Sequence, residues 1–252
     1  MKYDWQWSIY SQAATDGSGT WFHYLLVGLL WSLATAFAAW VIALTVGSTV
    51  GTLRTTPLKW VVRLGNLYVE IFRNVPLIVQ MFLWFFVAPE LLPKGLGDWI
   101  KQVPPPWGSY IPAVLCLGIF TSVRVAEQVK AGIMSLPRGQ RMAGTATGLT
   151  EAQTYRYVIL PQAFRIILPP LTSEFMNIIK NSSVALTIGL LELTGRARAM
   201  QEFSFRVFEA FTAATIIYLL TNLIVVLVMR ALEKKVRVPG LIAAGGAPQA
   251  GH

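Results

Sequence analysis

Met142-Ala143-Gly144-Thr145-Ala146-Thr147-Gly148-Leu149-Thr150-Glu151-Ala152-Gln153-Thr154-Tyr155-Arg156-Tyr157-Val158-Ile159-Leu160-Pro161 is the stretch on which the fold turns. Ala143, Ala146, Leu149, Ala152 and Tyr155 recur at three- and four-residue intervals, the period of a helix face, and Arg141, Glu151 and Arg156 flank that stripe. Gly148 suits the end of one short helix, because glycine reaches the left-handed conformation without a Cβ clash, and Thr150 suits the N-cap of the next. Pro161 marks the return to a long apolar segment. The stretch is an amphipathic, cation-flanked loop that either lies on a membrane surface or is a handle for a soluble partner.

Around it, the 252 residues are 54% hydrophobic and only 13% charged, with a mean hydropathy of +0.54. Soluble domains carry charge on roughly a quarter of their residues, so this composition indicates an all-helical polytopic membrane protein. Taking about 20 apolar residues as one crossing, five segments qualify. They are 24–53, 67–88, 111–133, 163–190 and 210–229, and charge interrupts the third and fourth. Arg54, Lys59 and Arg63 follow the first, Arg138, Arg141 and Arg156 the third, and Arg230, Lys234, Lys235 and Arg237 the fifth, whereas the other two loops mix signs. The positive-inside rule then places the N-terminus outside and the C-terminus in the cytoplasm. Residues 1–23 become an outer segment, expected to be retained for want of a signal-peptide pattern, with Trp5, Trp7 and Trp21 suited to an interfacial belt. Residues 24–232 form one transmembrane domain and 233–252 a Gly- and Ala-rich tail. The outer loop 89–110 holds Pro93, Pro104, Pro105 and Pro106, which favour extended or turn backbone and a capping or contact role.

Several functions are disfavoured. The lone Cys116 offers neither a disulfide nor a thiolate metal site and reads as a small buried hydrophobe. His23 and His252 form no ligand cluster, and no Gly-x-x-x-x-Gly-Lys-Ser/Thr loop cradles a nucleotide. No nucleophile–base pair can be assembled. The net charge of +9 sits on inner loops, where anionic lipid explains it better than nucleic acid.

The spacing in the opening stretch resembles the signature of the membrane subunits of binding-protein-dependent ABC importers. That signature is Glu-Ala-Ala, three residues, Gly, nine residues, Ile, one residue, Leu-Pro. Here it reads Met142-Ala143-Gly144, three residues, Gly148, nine residues, Val158, Ile159, Leu160-Pro161, so Met142 replaces the acid and Gly144 the second alanine. Glu70-Ile-Phe-Arg73-Asn-Val-Pro76-Leu, Arg124-Val-Ala-Glu127-Gln-Val, Leu136-Pro137-Arg138-Gly139-Gln140 and Lys180-Asn181-Ser182-Ser183 are similar to the polar amino acid branch, in detail to glutamate/aspartate importer permeases. The resemblance implies a type I importer transmembrane domain in a bacterial inner membrane. It implies that Met142, Ala143, Gly144, Gly148, Leu149, Leu160 and Pro161 form a coupling element gripped by an ATPase dimer. ATP and Mg would be held by that partner, with no cofactor or enzymatic step in this chain. A second, related permease chain and a periplasmic amino acid-binding protein would complete the machine.

Charges within spans are costly enough to mark a water-lined path or a partner. Arg124 lies about 18 Å beyond Pro112 and Lys180 about 15 Å before Leu190 at ~1.5 Å per residue, both near mid-membrane. An acidic amino acid presents two carboxylates and one ammonium. Arg124 can fork a carboxylate, Lys180 can act as a point charge, and Glu127 or Glu174 can take the ammonium. Asn177, Asn181, Ser182 and Ser183 can supply remaining hydrogen bonds. The competing account is structural: Arg124 with Glu127, Glu127 with Lys130, and Glu70 with Arg73 are i,i+3 pairs able to neutralise one another. Glu70 and Arg73 begin the second span, as a gate or subunit contact, and Pro76 is placed to kink it. Two rivals remain: a permease for another polar amino acid, and an ATP-independent secondary transporter or channel.

Overall fold

The computed structural model describes residues 3–236, and among these the extended pairing is a single bridge between Ala13 and Thr20. Everything else regular is helical. Helices α1 (Trp21–Leu53) and α5 (Trp107–Met134) form the spine. Ala36, Ala39, Ala43, Gly47 and Gly51 repeat at three- or four-residue steps on one face of α1, and all are buried. A Cβ on Gly47 would stand 2.6 Å from the Ser122 carbonyl oxygen, and one on Gly51 2.7 Å from that of Ala126. The two backbones are therefore in near contact, the packing available to helices when lipid removes the hydrophobic drive between them. Cys116 is buried beside this seam with Ala36, Ala39 and Leu117.

Helix α2 (Lys59–Asn74) stops because Val75 and Pro76 are extended, at ψ 126° and 143°. Proline disfavours helical backbone in the residue before it. The next helical stretch, Leu77–Leu91, leaves at 102° to α2, so the expected kink is a complete break. It begins with α3 (Leu77–Phe82). Buried Gln80 bridges the break by donating Nε2 hydrogens to the Phe72 oxygen at 2.8 Å and the Val75 oxygen at 3.0 Å, which satisfies carbonyls the helix end leaves open. The proline-rich segment 89–110 is also more ordered than composition implies. It contains α4 (Lys94–Lys101), tied back by Lys101 Nζ to Glu90 at 2.6 Å.

After α5 come α6 (Arg138–Ala146), α7 (Glu151–Thr154) and α8 (Leu160–Asn181), which tightens into a 3₁₀ turn over Ser182–Ile188. Then follow α9 (Leu193–Ser204) and α10 (Val207–Val236). By length and composition α1, α5 and α10 are apolar enough to cross a membrane, and the bent pair makes a fourth if taken as one span. Helix α8 stands outside that group because Arg165, Glu174 and Lys180 dilute it and Pro169 and Pro170 interrupt it.

The mixed-charge segment 191–209 is a packed helix rather than an open loop. Leu193, Ala197 and Met200 are buried against Trp21, Tyr24 and Leu25. Trp21 is thus core rather than interfacial belt, while Trp5 and Trp7 are exposed and stack at 4.8 Å. Fully buried Glu192 caps α9, accepting from the amides of Thr194 (3.0 Å) and Gly195 (2.8 Å). It also accepts from Ser32 Oγ of α1 (3.1 Å) and the Tyr218 hydroxyl of α10 (2.8 Å). Burial raises its carboxyl above the usual range, and these donors pull it back. The N-terminal segment is held on α10, where Gln6 N donates to Glu209 at 2.8 Å. Tail residues 237–252 lie outside the described residues.

The α1–α5 seam predicts that Gly47→Val lowers the thermal stability of the detergent-solubilised protein by about 1–3 kcal/mol, the cost of overpacking. A melting curve unchanged from wild type would contradict that close approach.

Candidate functional site

The 142–161 element is built as its spacing predicts, two short helices about a glycine. Gly148 has φ +82°, and its amide donates to the Thr145 oxygen (3.0 Å) while Leu149 N donates to the Gly144 oxygen (3.1 Å). That paired arrangement closes α6. Thr150 opens α7 with a reciprocal box: Gln153 N donates to Thr150 Oγ1 (3.3 Å) and Thr150 N to Gln153 Oε1 (2.8 Å). Gly144 is buried against Thr154, whose Cγ2 would lie 2.6 Å from an added Cβ, so alanine has no room there. Arg141 pairs with Glu151 and sits 5.5 Å above the Tyr155 ring.

The surface this presents is small and partly apolar. Met142, Ala143, Gly148 and Pro161 are exposed, and Leu149 and Leu160 are half-buried. Arg138, Arg141, Met142, Thr145 and Ala146 line an open groove. Beneath it, the Tyr155 hydroxyl donates to the Thr55 oxygen at 2.9 Å, tying the element to the end of α1.

The two acidic partners of the α5 cluster, Glu127 and Glu174, are each paired across elements rather than along one helix. Arg124 Nη1 of α5 reaches Glu174 Oε2 of α8 at 3.5 Å, with Arg124 45% and Glu174 13% exposed. Gln128 Nε2 donates to the other Glu174 oxygen at 3.3 Å, and the Arg124 guanidinium lies 5.1 Å over the Phe120 ring. Glu127 is engaged elsewhere, by Arg54 Nη2 at 2.9 Å. Neither Glu127 pairing expected at i,i+3 is formed among the described residues, because Glu127 projects toward the α1 terminus.

Glu174, Asn177 and Asn181 repeat at three- and four-residue steps along one face of α8, with Lys180 three residues beyond Asn177 at its edge. Lys180 lies about 9 Å along the helix from Glu174 at ~1.5 Å per residue, so it joins the stripe rather than the Arg124 cluster. Ser182 and Ser183 spend their hydroxyl hydrogens on the Ile179 oxygen (2.7 Å) and the Lys180 oxygen (2.8 Å). Glu70 and Arg73 are exposed on the last turns of α2 beside the Pro76 break. Sequence reasoning missed Gln128, Phe120 and Arg54. Gln128 could have been found, since it lies one turn beyond Arg124 on the same face.

A membrane-embedded helical subunit that carries cross-helix charge pairs and a glycine-hinged helix pair is the class of protein these features define. The chain belongs to the family of binding-protein-dependent transport system inner membrane components, matching it over residues 43–238. It is 49% identical over 241 residues to the glutamate/aspartate import permease protein GltJ of Escherichia coli, covering 95% of this chain and 98% of the relative. The glutamine transport system permease protein GlnP of Escherichia coli is 29% identical, covering 85% and 84%. Among solved structures, an amino acid ABC transporter with histidines superposes with a TM-score of 0.72 at 29% identity, covering 85% of this chain and 95% of that one. The inward-facing MetNI methionine ABC transporter gives 0.70 at 17% identity, covering 86% and 98%, which is likeness of fold.

Gly148→Val places a branched side chain at φ +82°, a strain of about 1–2 kcal/mol for a non-glycine residue. Backbone amide exchange over residues 145–156 should rise while the main unfolding transition stays within a few degrees. Unchanged local exchange would show that the hinge does not depend on glycine.

Proposed function

We propose that this chain is the membrane-spanning subunit of an ATP-driven importer of the acidic amino acids L-glutamate and L-aspartate. The observation that carries the substrate is the 49% identity to GltJ over 95% of the chain. Five crossings fit the family fold: α1, the bent pair α2 with Leu77–Leu91, α5, α8 with its 3₁₀ extension, and α10. The N-terminal segment 1–23 then faces the periplasm, residues 24–232 form the transmembrane domain, and the tail 233–252 lies in the cytoplasm. This orientation follows the cation distribution. It places the Gly148 element on the side where an ATPase dimer holds ATP and Mg.

The exposed small residues Ala143 and Gly148, with the groove at Met142, suit insertion into a cleft of the ATPase. The ATPases close on nucleotide, the α6–α7 pair moves with them, and the spans exchange inward- and outward-facing states. A second, related permease chain completes the pore. Arg124 supports that placement: a half-exposed guanidinium within a span is too costly against lipid, so it faces the aqueous path beside the partner. There Arg124 takes a substrate carboxylate and Glu174 the ammonium. Asn177, Lys180 and Asn181 continue the lane along α8, and Glu70, Arg73 and Pro76 shape its gate. A periplasmic binding protein delivers substrate to the outer face.

The test is uptake of labelled glutamate by the complete transporter in proteoliposomes. Arg124→Ala should lower uptake about 10-fold or more, since a hydrogen bond to a charged group contributes roughly 1.5–3 kcal/mol. Aspartate should compete and glutamine should not. Wild-type uptake by Arg124→Ala would remove Arg124 from the path, and competition by glutamine alone would reassign the substrate.

A further inference from the structure

Among the described residues, Arg54 is the one buried cation, and the proposed substrate path does not use it. It stands at the C-terminal cap of α1, 8% exposed, where a positive charge complements the helix dipole. Its Nε donates to Asn66 Oδ1 of α2 at 2.8 Å and its Nη2 to Glu127 Oε1 of α5 at 2.9 Å. Its stem is packed on α2, since a Cβ on Gly65 would come within 2.6 Å of Arg54 Cγ. One nitrogen, Nη1, is buried with no hydrogen-bond partner among the described residues. The grip on Glu127 is therefore one-pronged, and the guanidinium holds a second donor in reserve for a different placement of the carboxylate.

The next residue is the point where the 142–161 element attaches. Tyr155 donates its hydroxyl to the Thr55 oxygen at 2.9 Å and lies 3.2 Å from Thr55 Oγ1, while Arg141 covers its ring. A displacement of the α6–α7 pair is thus delivered to Thr55, one peptide from Arg54, and from Arg54 to both α2 and α5. Glu127 lies three residues from Arg124 and one from Gln128 on α5.

We propose that Arg54 is a positioning residue for transport: through the Tyr155–Thr55 bond it passes movement of the Gly148 hinge to Glu127, and so sets the register of α5 at the Arg124 cluster. The relay rests on the proposed coupling role of that hinge. In one state Arg54 holds Glu127 by Nη2 alone. In the other, Nη1 also engages the carboxylate, which gives two discrete arrangements rather than a continuous drift.

The experiment measures substrate taken up per ATP hydrolysed, and the melting temperature, for the complete transporter in proteoliposomes. Glu127→Gln leaves the Arg54 charge buried alone and should melt earlier, Arg54→Gln leaves the 40% exposed Glu127 within reach of solvent and should melt closer to wild type, and the double variant should recover most of the Glu127→Gln loss because no buried lone charge remains. Uptake per ATP should nevertheless stay at least 10-fold below wild type in the double variant and recover partly in Arg54→Lys. Tyr155→Phe, which deletes one hydroxyl, should lower the ratio about threefold or more with little change in melting. A double variant with the wild-type ratio, or uptake that only follows melting across the series, overturns the relay. Variants all matching a well-coupled wild type overturn the relay and leave the importer reading standing. A wild-type complex whose uptake ignores ATP overturns both.

Discussion

The structure depends on how closely α1 and α5 approach. Gly47 and Gly51 bring the α1 backbone against the carbonyls of Ser122 and Ala126, and Gly118 of α5 leaves room for Ile42 in return. Dispersion between surfaces this close, rather than exclusion of water, holds helices together in lipid. The seam then fixes where the polar groups at its two ends must go. At one end Arg54 is carried to Glu127, and toward the other Ser32 is carried to Glu192. Neither contact requires a long side chain to search for its partner, because the seam has already set the distance.

Magnitudes separate the roles of packing and polarity. Distorting the seam costs about 1–3 kcal/mol. The Arg54–Glu127 pair is buried on the Arg54 side and 40% exposed on the Glu127 side, so losing Glu127 strands a buried charge while losing Arg54 leaves a carboxylate that solvent screens. The seam therefore supplies position and the ion pairs penalise departure from it. Glu192 shows the principle: four donors from α1, α9 and α10 converge on one carboxylate. Displacing α1 or α10 takes a donor away from that buried acceptor. Tyr68 adds a smaller tie, since Ser122 gives its hydrogen to the Ile119 oxygen and so receives the Tyr68 hydroxyl at 2.7 Å.

Features set by local chemistry were legible in the sequence. The Gly148 turn, the Thr150 cap and the apolar stretches of α1, α5 and α10 follow from residue type and spacing over a few turns. The polar partners did not, because they join residues such as 54 with 127 and 32 with 192 that only the fold brings together. Spacing favoured neighbours along one helix for Glu127, yet helix rotation against α1 decided its partner. Segment 191–209 misled for a related reason. Its mixed signs gave no hint of packing, yet Arg196 lies 4.2 Å over the Tyr24 ring and Glu192 caps α9 from a buried position, while Arg198 and Glu202 pair at the surface. The α2 break was half visible: Pro76 announced it, while Gln80, which makes it tolerable, carried no sequence signal.

A transporter subunit must be stiff where it holds its path and yielding where it is moved, and the distribution of glycine reflects that division. Glycines 47, 51 and 118 serve closeness, and each is walled in by neighbouring atoms. Gly148 serves shape: nothing lies within 4 Å of where its Cβ would be, and its positive φ is what the turn requires. The exposed α6–α7 pair is short and held by a cap, one ion pair and the Gly144–Thr154 contact, so it sits at the low end of local stability. Tyr155 lies between the two regimes, with its ring buried and its hydroxyl fixed to Thr55. On the proposed coupling role, a displacement of the α6–α7 pair would meet the spine at the end of α1, where the buried Arg54 guanidinium touches two other helices.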